Sequence, residues 1–431
     1  MKKSLKIICA LMSLCMVIGL FAACSGKEDP TTTAAPDASV ADTEAPAADE
    51  SAAPAAQTDL SELKIGFIFL HDENSTYDKN FMDAAYEAQA ALGLSDEQVL
   101  LKPNIPEGDE CYQAACELVD EGCDIIFADS FGHEDYMIRA AKEFPEVQFC
   151  HATGTKAHTE NLANFHNALA SIYEGRFLAG VAAGLKLNEM IEAGDITAEQ
   201  AKIGYVGAYP YAEVKSGYTS FFLGARYICP SATMEVKFTN SWYDEALEKE
   251  AANALIQADC VLISQHADSL GAPTACEEAG VPNVSYNGST AAAGPNTYIV
   301  SSRINWEPYY ELIINAVANG SVIPADWTGT FETGSVELAE LGAAAAEGTA
   351  EKLAEIEDQL KAGTLHVFDT STFTVGGEAL DEYLADVDSD EAYQGDTQVV
   401  IDGYFDESNP TFRSAPYFDL DIDGITLPVA E

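Results

Sequence analysis

From residue 65 onward, short runs rich in β-branched residues alternate with longer amphipathic stretches. The strand-like runs of a first series are 65–70, 98–104, 124–130 and 147–153. Helix-length stretches accompany them at 78–92, 109–120, 134–144 and 171–186. A second series starts afresh near residue 200, with runs at 202–209, 234–242, 260–266 and 281–287. This alternation predicts parallel sheets covered on both faces, and the restart predicts an α/β fold of two Rossmann-like lobes around a cleft.

The length of this region also favours two lobes, because about 370 residues exceed what one hydrophobic core usually supports. We expect residues 61–198 to form mainly the N-terminal lobe and residues 199–295 the C-terminal lobe. Residues 296–431 are expected to supply a return helix across the hinge and a strand-rich closing segment. Within this last part, the Ala- and Glu-rich stretch 340–362 is typical of a surface helix.

The N-terminus has the features of a secretory signal. Three lysines precede an apolar run at 7–23 that is too short to favour a permanent membrane span. Small residues stand directly before Cys24, as in the lipobox of bacterial lipoproteins, although Phe21 replaces the usual Leu. We therefore expect a signal peptide over 1–23, lipidation of Cys24, and a location at the extracytoplasmic face of the cell membrane. Cleavage of a simple signal peptide nearby is the alternative.

Residues 24–60 are rich in Ala, Pro, Thr and acidic residues and contain no aromatic side chain. Such a segment cannot bury enough apolar surface to fold, so we expect a disordered tether. The whole chain has a formal net charge of −50. This charge argues against nucleic acid as a partner, because the phosphate backbone would be repelled. A monomer is expected.

Seven cysteines remain once the signal region and Cys24 are set aside. Seven is an odd number, and none of the pairs has C-x-x-C spacing. Cys150 and Cys260 lie at the edges of strand-like runs, where a thiol behaves as a small hydrophobic group. We expect mostly free, buried thiols, although an occasional disulfide bridge stays open.

The segments that follow the strand-like runs combine aromatic rings or amides with carboxylates. In open α/β sheets ligands bind at the carboxyl ends of the strands, so these segments are the candidate site. Rings can stack on a planar polar ligand while carboxylates and amides pair with its edges. An acid in such a loop can instead cap the next helix. That alternative fits Asp78, Asp135 and Asp244.

Residues 63–310 resemble the basic membrane protein family of ABC transporter substrate-binding lipoproteins, which includes purine nucleoside receptors. The resemblance rests on several segments together, among them IGFIFLHDENSTYDKNF, IYEGRFLAGVAAGL, TNSWYDEALEKEAANALI and VLISQHADS. It implies a periplasmic-binding-protein type I fold, hinged around a central cleft that closes on a purine nucleoside or nucleobase. ABC permease subunits in the membrane are the implied partners, and no cofactor is expected.

The resemblance also implies ligand-binding positions. Tyr77 and Trp242 correspond to rings that stack on the ligand, and Asn287 stands where many members have an Asp, which favours a free base over a ribose diol. The expected ligand-binding residues are Asp72, Tyr77, Asp129, Phe131, Trp242, Asp268 and Asn287, with His71 and Glu213 as second choices.

Other functions stay open. The chain contains no G-x-S-x-G, Walker or H-E-x-x-H motif, so we expect no enzyme, although paired carboxylates could in principle hydrolyse a nucleoside. Histidines of the cleft-facing loops do not match zinc spacing, and no metal site is expected. A surface receptor or sensor for a sugar is a further alternative, because a fold alone does not determine a ligand.

Overall fold

The structure is a computed structural model that describes residues 59–387 and 395–428. The expected signal peptide, Cys24 and all but the last two residues of the expected tether lie outside these residues. Among the residues that the structure describes, none of the helices combines the length and apolarity needed to cross a membrane.

Strands and helices alternate along the described chain as the sequence predicts. The strands of three or more residues are β1 Ile65–Ile68, β2 Val99–Lys102, β3 Ile125–Ala128, β4 Gln148–Ala152, β5 Phe165–Ala170, β6 Lys202–Gly207, β7 Thr233–Phe238, β8 Leu262–Gln265, β9 Asn283–Tyr286, β10 Tyr298–Ile304, β11 Asp326–Gly329 and β12 Val336–Leu338. Five two-residue strands follow, which are β13 Leu384–Ala385, β14 Thr397–Gln398, β15 Val400–Ile401, β16 Tyr404–Phe405 and β17 Ile425–Thr426. The α-helices are α1 Thr76–Leu92, α2 Asp109–Asp120, α3 Glu134–Glu143, α4 Ala157–Glu160, α5 Ile172–Ala193, α6 Ala212–Ile228, α7 Glu245–Gln257, α8 Gly271–Ala279, α9 Glu307–Asn319 and α10 Thr349–Lys361.

Two sheets of the same topology form the two lobes. The first sheet is parallel and has the strand order β11-β5-β4-β3-β1-β2. The second has the order β12-β10-β9-β8-β6-β7-β17, in which β12 alone runs antiparallel to its neighbour. Strands β1–β5 thus correspond in order to β6–β10. The predicted two-lobed α/β fold is confirmed.

The chain crosses between the lobes more than once. Strand β10 adds to the second sheet beyond residue 295, where the sequence placed the end of the second lobe. Strand β11 then returns to the first sheet by pairing with β5. The return helix expected in this part is α9, which packs against α1 of the first lobe.

The Gly- and Ala-rich helix α5 packs most extensively against helix α6. A Cβ atom added to Gly180 would lie 2.0 Å from the carbonyl oxygen of Phe221. A Cβ atom on Gly224 of α6 would lie 2.0 Å from the carbonyl oxygen of Phe177. These contacts require glycine because the two helix backbones touch.

The C-terminal segment contacts both lobes. The backbone N–H and the hydroxyl of Ser414 donate to Oδ1 of Asp326 in β11, at 2.8 and 2.9 Å. On the other side, Lys215 of α6 donates to the carbonyl oxygen of Asp419 at 2.9 Å, and β17 pairs with β7. The surface helix expected at 340–362 is α10, which begins later, at Thr349.

All seven cysteines of the described chain have free thiols, as expected. Six of them are buried, and Cys116 is half-buried. Burial raises the pKa of the Cys150 thiol to about 12, so this thiol stays protonated.

Candidate functional site

A cavity with about 350 Å³ of empty space, which includes open solvent, lies between the two lobes, at the carboxyl ends of their central strands. Its lining combines rings, carboxylates and two imidazoles, and consists of Leu70, His71, Tyr77, Asp78, Ser130, Phe131, Thr153, Glu213, Trp242, His266 and Asp268.

On the first lobe, the start of helix α1 forms the wall of the cavity. Ser75 is the N-cap and accepts from the backbone N–H of Asp78. The Asp78 carboxylate accepts from the backbone N–H of His71 at 2.7 Å and from the Ser75 hydroxyl at 2.6 Å. Burial pushes the pKa of Asp78 upward, but the hydrogen bonds from His71 and Ser75 outweigh it and hold the pKa below its ordinary value. Asp78 is therefore a buried carboxylate of the cavity wall, and its interpretation as a helix cap is wrong. Asp244, by contrast, does cap α7.

Tyr77 lies beside Asp78 and reaches back toward β3. Its hydroxyl donates to the carbonyl oxygen of Asp129 at 2.7 Å, and its ring meets Phe81 edge to face at 4.8 Å between centroids. The hydroxyl is thus engaged with the protein, while the ring lines the cavity. Tyr77 can offer a fixed aromatic surface to a ligand.

Asp129 was expected to contact the ligand directly, but it lies behind the wall. Its side chain is 1% exposed, and Oδ1 accepts from the backbone N–H of Leu70 at 3.1 Å. Burial, followed by the neighbouring Asp78, raises the pKa of Asp129 well above its ordinary value. Asp129 is a buried acid whose backbone carbonyl oxygen anchors the Tyr77 hydroxyl.

On the second lobe, three polar side chains reach the cavity. Glu213 comes from the first turn of α6, while His266 and Asp268 follow β8. Nε2 of His266 lies 3.6 Å from Oε1 of Glu213. Burial, followed by the carboxylates of Glu248 and Asp78, raises the pKa of Asp268 well above its ordinary value.

Asn287 was also expected at the ligand, and it instead stands behind Asp268. Its Nδ2 donates to Oδ1 of Asp268 at 3.3 Å. Asn287 has a φ of 67°, a left-handed conformation that asparagine tolerates better than most residues. It does not line the cavity, so its role there is to orient Asp268.

Aromatic rings from both lobes meet at one side of the cavity. Phe131 of the first lobe lies 5.5 Å from Tyr211 of the second, between ring centroids. Tyr211 stacks on Tyr209 at 5.2 Å, and Tyr209 meets Trp242 edge to face at 5.0 Å. Trp242 and Phe131 also line the cavity. A flat ligand would be held among rings here.

Backbone contacts join the lobes across the cleft. The backbone N–H and the hydroxyl of Thr76 both donate to the carbonyl oxygen of Asp268, at 2.9 and 3.0 Å. The rings of His71 and Tyr243 lie 5.4 Å apart. These contacts describe a closed arrangement of the lobes.

Asp72 is placed away from the cavity. Its carboxylate accepts from the backbone N–H and side-chain amide of Asn74, at 3.1 and 2.7 Å, and braces its own loop. These hydrogen bonds lower the pKa of Asp72 below its ordinary value. Of the nine positions expected from the sequence, six line the cavity, namely His71, Tyr77, Phe131, Glu213, Trp242 and Asp268.

Sequence reasoning missed Asp78, His266, Ser130 and Thr153 as parts of the cavity wall. His266 and Ser130 were identifiable from their positions directly after strands. Thr153 has a φ of 67°, a conformation that the sequence does not reveal. Within residues 59–387 and 395–428, no group of three or more His, Cys, Asp and Glu side chains is arranged to hold a metal ion.

The profile of the Bmp family, described as ABC transporter substrate-binding protein PnrA-like, matches residues 66–367. The chain belongs to this family. It is accordingly a substrate-binding protein of the ABC transporter type, a non-catalytic class that works on the extracytoplasmic side of the membrane and delivers small molecules to permease subunits.

A purine-binding protein of Brucella abortus (strain 2308) is 32% identical over 346 residues, which cover 76% of this chain and 93% of that protein. A protein of Haloferax volcanii that bears the name of an ABC transporter glucose-binding protein is 34% identical over 261 residues. That match covers 61% of this chain and spans only 62% of the Haloferax protein.

The fold is shared with solved structures. An ABC transporter solute-binding protein from Aeropyrum pernix K1 superposes with a TM-score of 0.60 at 15% identity, covering 71% of this chain and 93% of that one. At this identity the likeness concerns the fold alone. It agrees with the type I periplasmic-binding-protein architecture expected from the sequence.

Proposed function

We propose that this Bmp-family protein captures a purine nucleobase or nucleoside for an ABC importer. The observation that carries the proposal is that Tyr77, Trp242 and Asp268 all line one cavity between the lobes. Rings from two lobes suit the faces of a planar heterocycle, and stacking of this kind is worth about 1–3 kcal/mol per base. The Brucella relative, which is named as purine-binding, supports the same ligand class.

The polar groups of the wall support the edge contacts. Asp268 is a buried acid that accepts from Asn287 at 3.3 Å, so it retains hydrogen-bonding capacity for a ligand. Glu213 and His266 add an acceptor and an imidazole within the same wall. A buried polar site of this kind rejects analogues that leave its groups unpaired, which would make the protein selective among heterocycles.

A thermal-shift screen followed by calorimetry tests the proposal. Purines, purine nucleosides, pyrimidines and glucose are each added to the protein without ligand. A ligand at a hundred times its Kd stabilises the folded state by about 2.7 kcal/mol. We expect stabilisation by purines or their nucleosides. Stabilisation by glucose alone would overturn the proposal and favour the sugar named in the Haloferax relative.

We also propose that Cys24 carries a lipid anchor and that the following segment tethers the binding lobes to the outer face of the membrane. The small residues before Cys24 and the acidic, Pro-rich composition after it support this. Metabolic labelling with a radioactive fatty acid tests it. Label should enter the full-length protein and be absent from Cys24→Ala, while an equally labelled variant would contradict the anchor.

A further inference from the structure

A buried arginine lies behind the second-lobe wall of the cavity. Arg176 of α5 is fully buried, and its Nη2 approaches the hydroxyl oxygen of Tyr205 at 2.6 Å. A guanidinium group has only donors, so the Tyr205 oxygen must accept in this contact. The hydroxyl hydrogen of Tyr205 is therefore directed to a different acceptor.

The imidazole of His266 lies within reach as an acceptor. Its Nδ1 lies 3.5 Å from the Tyr205 oxygen, and its side chain is buried. Burial lowers the pKa of His266, so the ring is neutral and has one N–H and one acceptor nitrogen. If Nδ1 carried the proton, the Tyr205 oxygen would accept from it as well as from Arg176, and the Tyr205 hydrogen would need an acceptor elsewhere in the buried lobe. With the proton on Nε2, Nδ1 accepts the Tyr205 hydrogen, which favours this tautomer.

Nε2 of His266 points to the cavity, where Glu213 stands beside it. The Nε2–Oε1 separation of 3.6 Å is longer than a normal hydrogen bond. The two groups therefore do not use up each other's hydrogen-bonding capacity, and both line the cavity. The second-lobe wall thus presents an N–H donor next to a carboxylate acceptor.

We propose that His266 and Glu213 together read one edge of the ligand, an edge with an acceptor directly beside an N–H donor. A 6-aminopurine offers this pattern as a ring nitrogen beside its exocyclic amine, and a 6-oxopurine offers it as O6 beside N1–H. Arg176 and Tyr205 are positioning residues that fix the imidazole proton on Nε2. The inference rests on the proposed function and names the edge bearing the C6 substituent as the one recognised.

Calorimetry with modified purines tests the pairing in the wild-type protein. The probes are adenine, unsubstituted purine (which lacks the amine), 1-deazaadenine and 7-deazaadenine (which each lack one ring acceptor). We expect unsubstituted purine and one of the two deaza compounds to bind at least tenfold more weakly than adenine. Equal affinity for all four would overturn the inference alone. Absence of binding by any purine, including 6-oxopurines, would overturn the proposed function and the inference with it.

Substitutions then test which residue binds the acceptor of this ligand edge and which binds its N–H donor. His266→Gln retains an N–H donor and should keep the discrimination against the sensitive deaza compound, whereas His266→Leu should reduce it to within about threefold. Tyr205→Phe should reduce the same discrimination, because the imidazole proton is no longer fixed. Glu213→Ala should instead remove the discrimination against unsubstituted purine.

These ratios between ligands separate recognition from folding, because a variant that merely destabilises the protein weakens all four probes equally. Thermal melts of each variant show that it is folded before titration. Parallel losses for every probe in His266→Leu and Tyr205→Phe would overturn the assignment. Unchanged ratios in both variants would do the same.

Discussion

The two lobes bring acidic side chains to the same cavity but use them differently. Asp78 of the first lobe accepts short hydrogen bonds from His71 and Ser75, and its pKa is lowered. Asp268 of the second lobe accepts one bond of 3.3 Å from Asn287, and its pKa is raised. The first carboxylate is charged and already satisfied by its own loop. The second accepts fewer protein hydrogen bonds and retains hydrogen-bonding capacity for a ligand.

The comparison shows that the role of an acidic residue that follows a strand depends on its hydrogen-bond partners. The first-lobe acids Asp78 and Asp129 hold the wall in place, while Asp268 and Glu213 of the second lobe face the cavity with fewer protein bonds. Rings from both lobes are thus combined with polar groups of the second lobe that retain hydrogen-bonding capacity. Substitutions on the two sides should therefore separate stability from affinity.

The largest effect is expected for Asp78→Ala. The backbone N–H of His71 and the Ser75 hydroxyl would lose a charged acceptor in a buried site, at a cost of about 3 kcal/mol in the free energy of unfolding. Urea denaturation measures this loss, with Glu87→Ala, an exposed acid on the same helix, as control.

The pH dependence of this effect follows from the lowered pKa of folded Asp78. Its contribution is present above the unfolded value of about 3.9 and is lost as the pH falls through the folded pKa. The difference between wild type and Asp78→Ala should therefore shrink below about pH 4. A constant difference at all pH values would show that the carboxylate is not the source.

Asp268→Ala should lower the affinity for the ligand more than the stability of the fold. Loss of a buried hydrogen bond to the ligand should weaken purine binding by about 2–3 kcal/mol, a factor of about 30–150. Because Asp268 has few protein partners, the unfolding free energy should fall by less than about 1 kcal/mol. Calorimetry and urea denaturation provide the two values, and Glu245→Ala, an exposed acid nearby, is the control. A large loss of stability with unchanged affinity would reverse the comparison.

Trp242→Ala tests the ring that the second lobe contributes. Removal of one stacking surface should weaken purine binding by about 1–3 kcal/mol. Trp242→Phe keeps an aromatic face and should recover most of the affinity. Titration of both variants with the same purine makes the test, and an unchanged Kd in Trp242→Ala would remove this residue from the site.

Asp129→Asn should raise the free energy of unfolding at pH 7, because the amide keeps an acceptor for the Leu70 N–H and removes a carboxyl group whose charge is costly to bury. Wild-type Asp129 has a raised folded pKa, so its contribution is fully present below the unfolded value and is lost as the pH rises toward the folded one. Asparagine is neutral at every pH. The gain should accordingly vanish near pH 4, as thermal melts at both pH values would reveal. If the gain in stability persisted at pH 4, it would not arise from the charge of the Asp129 carboxyl group.

The sequence predicted the fold where hydrophobic pattern and burial coincide. Strands β1–β4 and β6–β9 are short apolar runs, and the restart near residue 200 marked the second lobe. Strand β5 was not predicted, because His166 and Asn167 interrupt its apolar pattern. Both are buried with distant partners, since His166 meets the carbonyl oxygen of Pro324 at 2.9 Å and Asn167 donates to Glu134 at 3.0 Å. These hydrogen-bond partners are far away in the sequence, so the local pattern does not indicate that the two polar residues are buried in a strand.

The loops that line the cavity could be predicted from the sequence, but the directions of their side chains could not. Strand ends located the correct loops, and the family resemblance selected Tyr77 and Trp242, which share the cavity. Whether an acid faces the ligand depends on side-chain direction, so Asp129 was wrongly placed at the ligand and Asp78 was wrongly interpreted as a helix cap. Asp78 looked like a helix cap, but Ser75 takes that role and leaves the carboxylate directed into the wall.

The smallest effect on stability and affinity is expected for Asp72→Ala. This substitution removes hydrogen bonds within a loop without removing a contact to the ligand. The Asp72 carboxylate is bonded to Asn74 within its own exposed turn and lies outside the cavity. Its removal should change the unfolding free energy by about 0.5 kcal/mol or less and the purine Kd by less than about twofold. Calorimetry beside Asp268→Ala provides the contrast between the two lobes. A tenfold loss of affinity would mean that the turn around Asp72 reaches the ligand, and the first lobe would then contribute a polar contact as the second does.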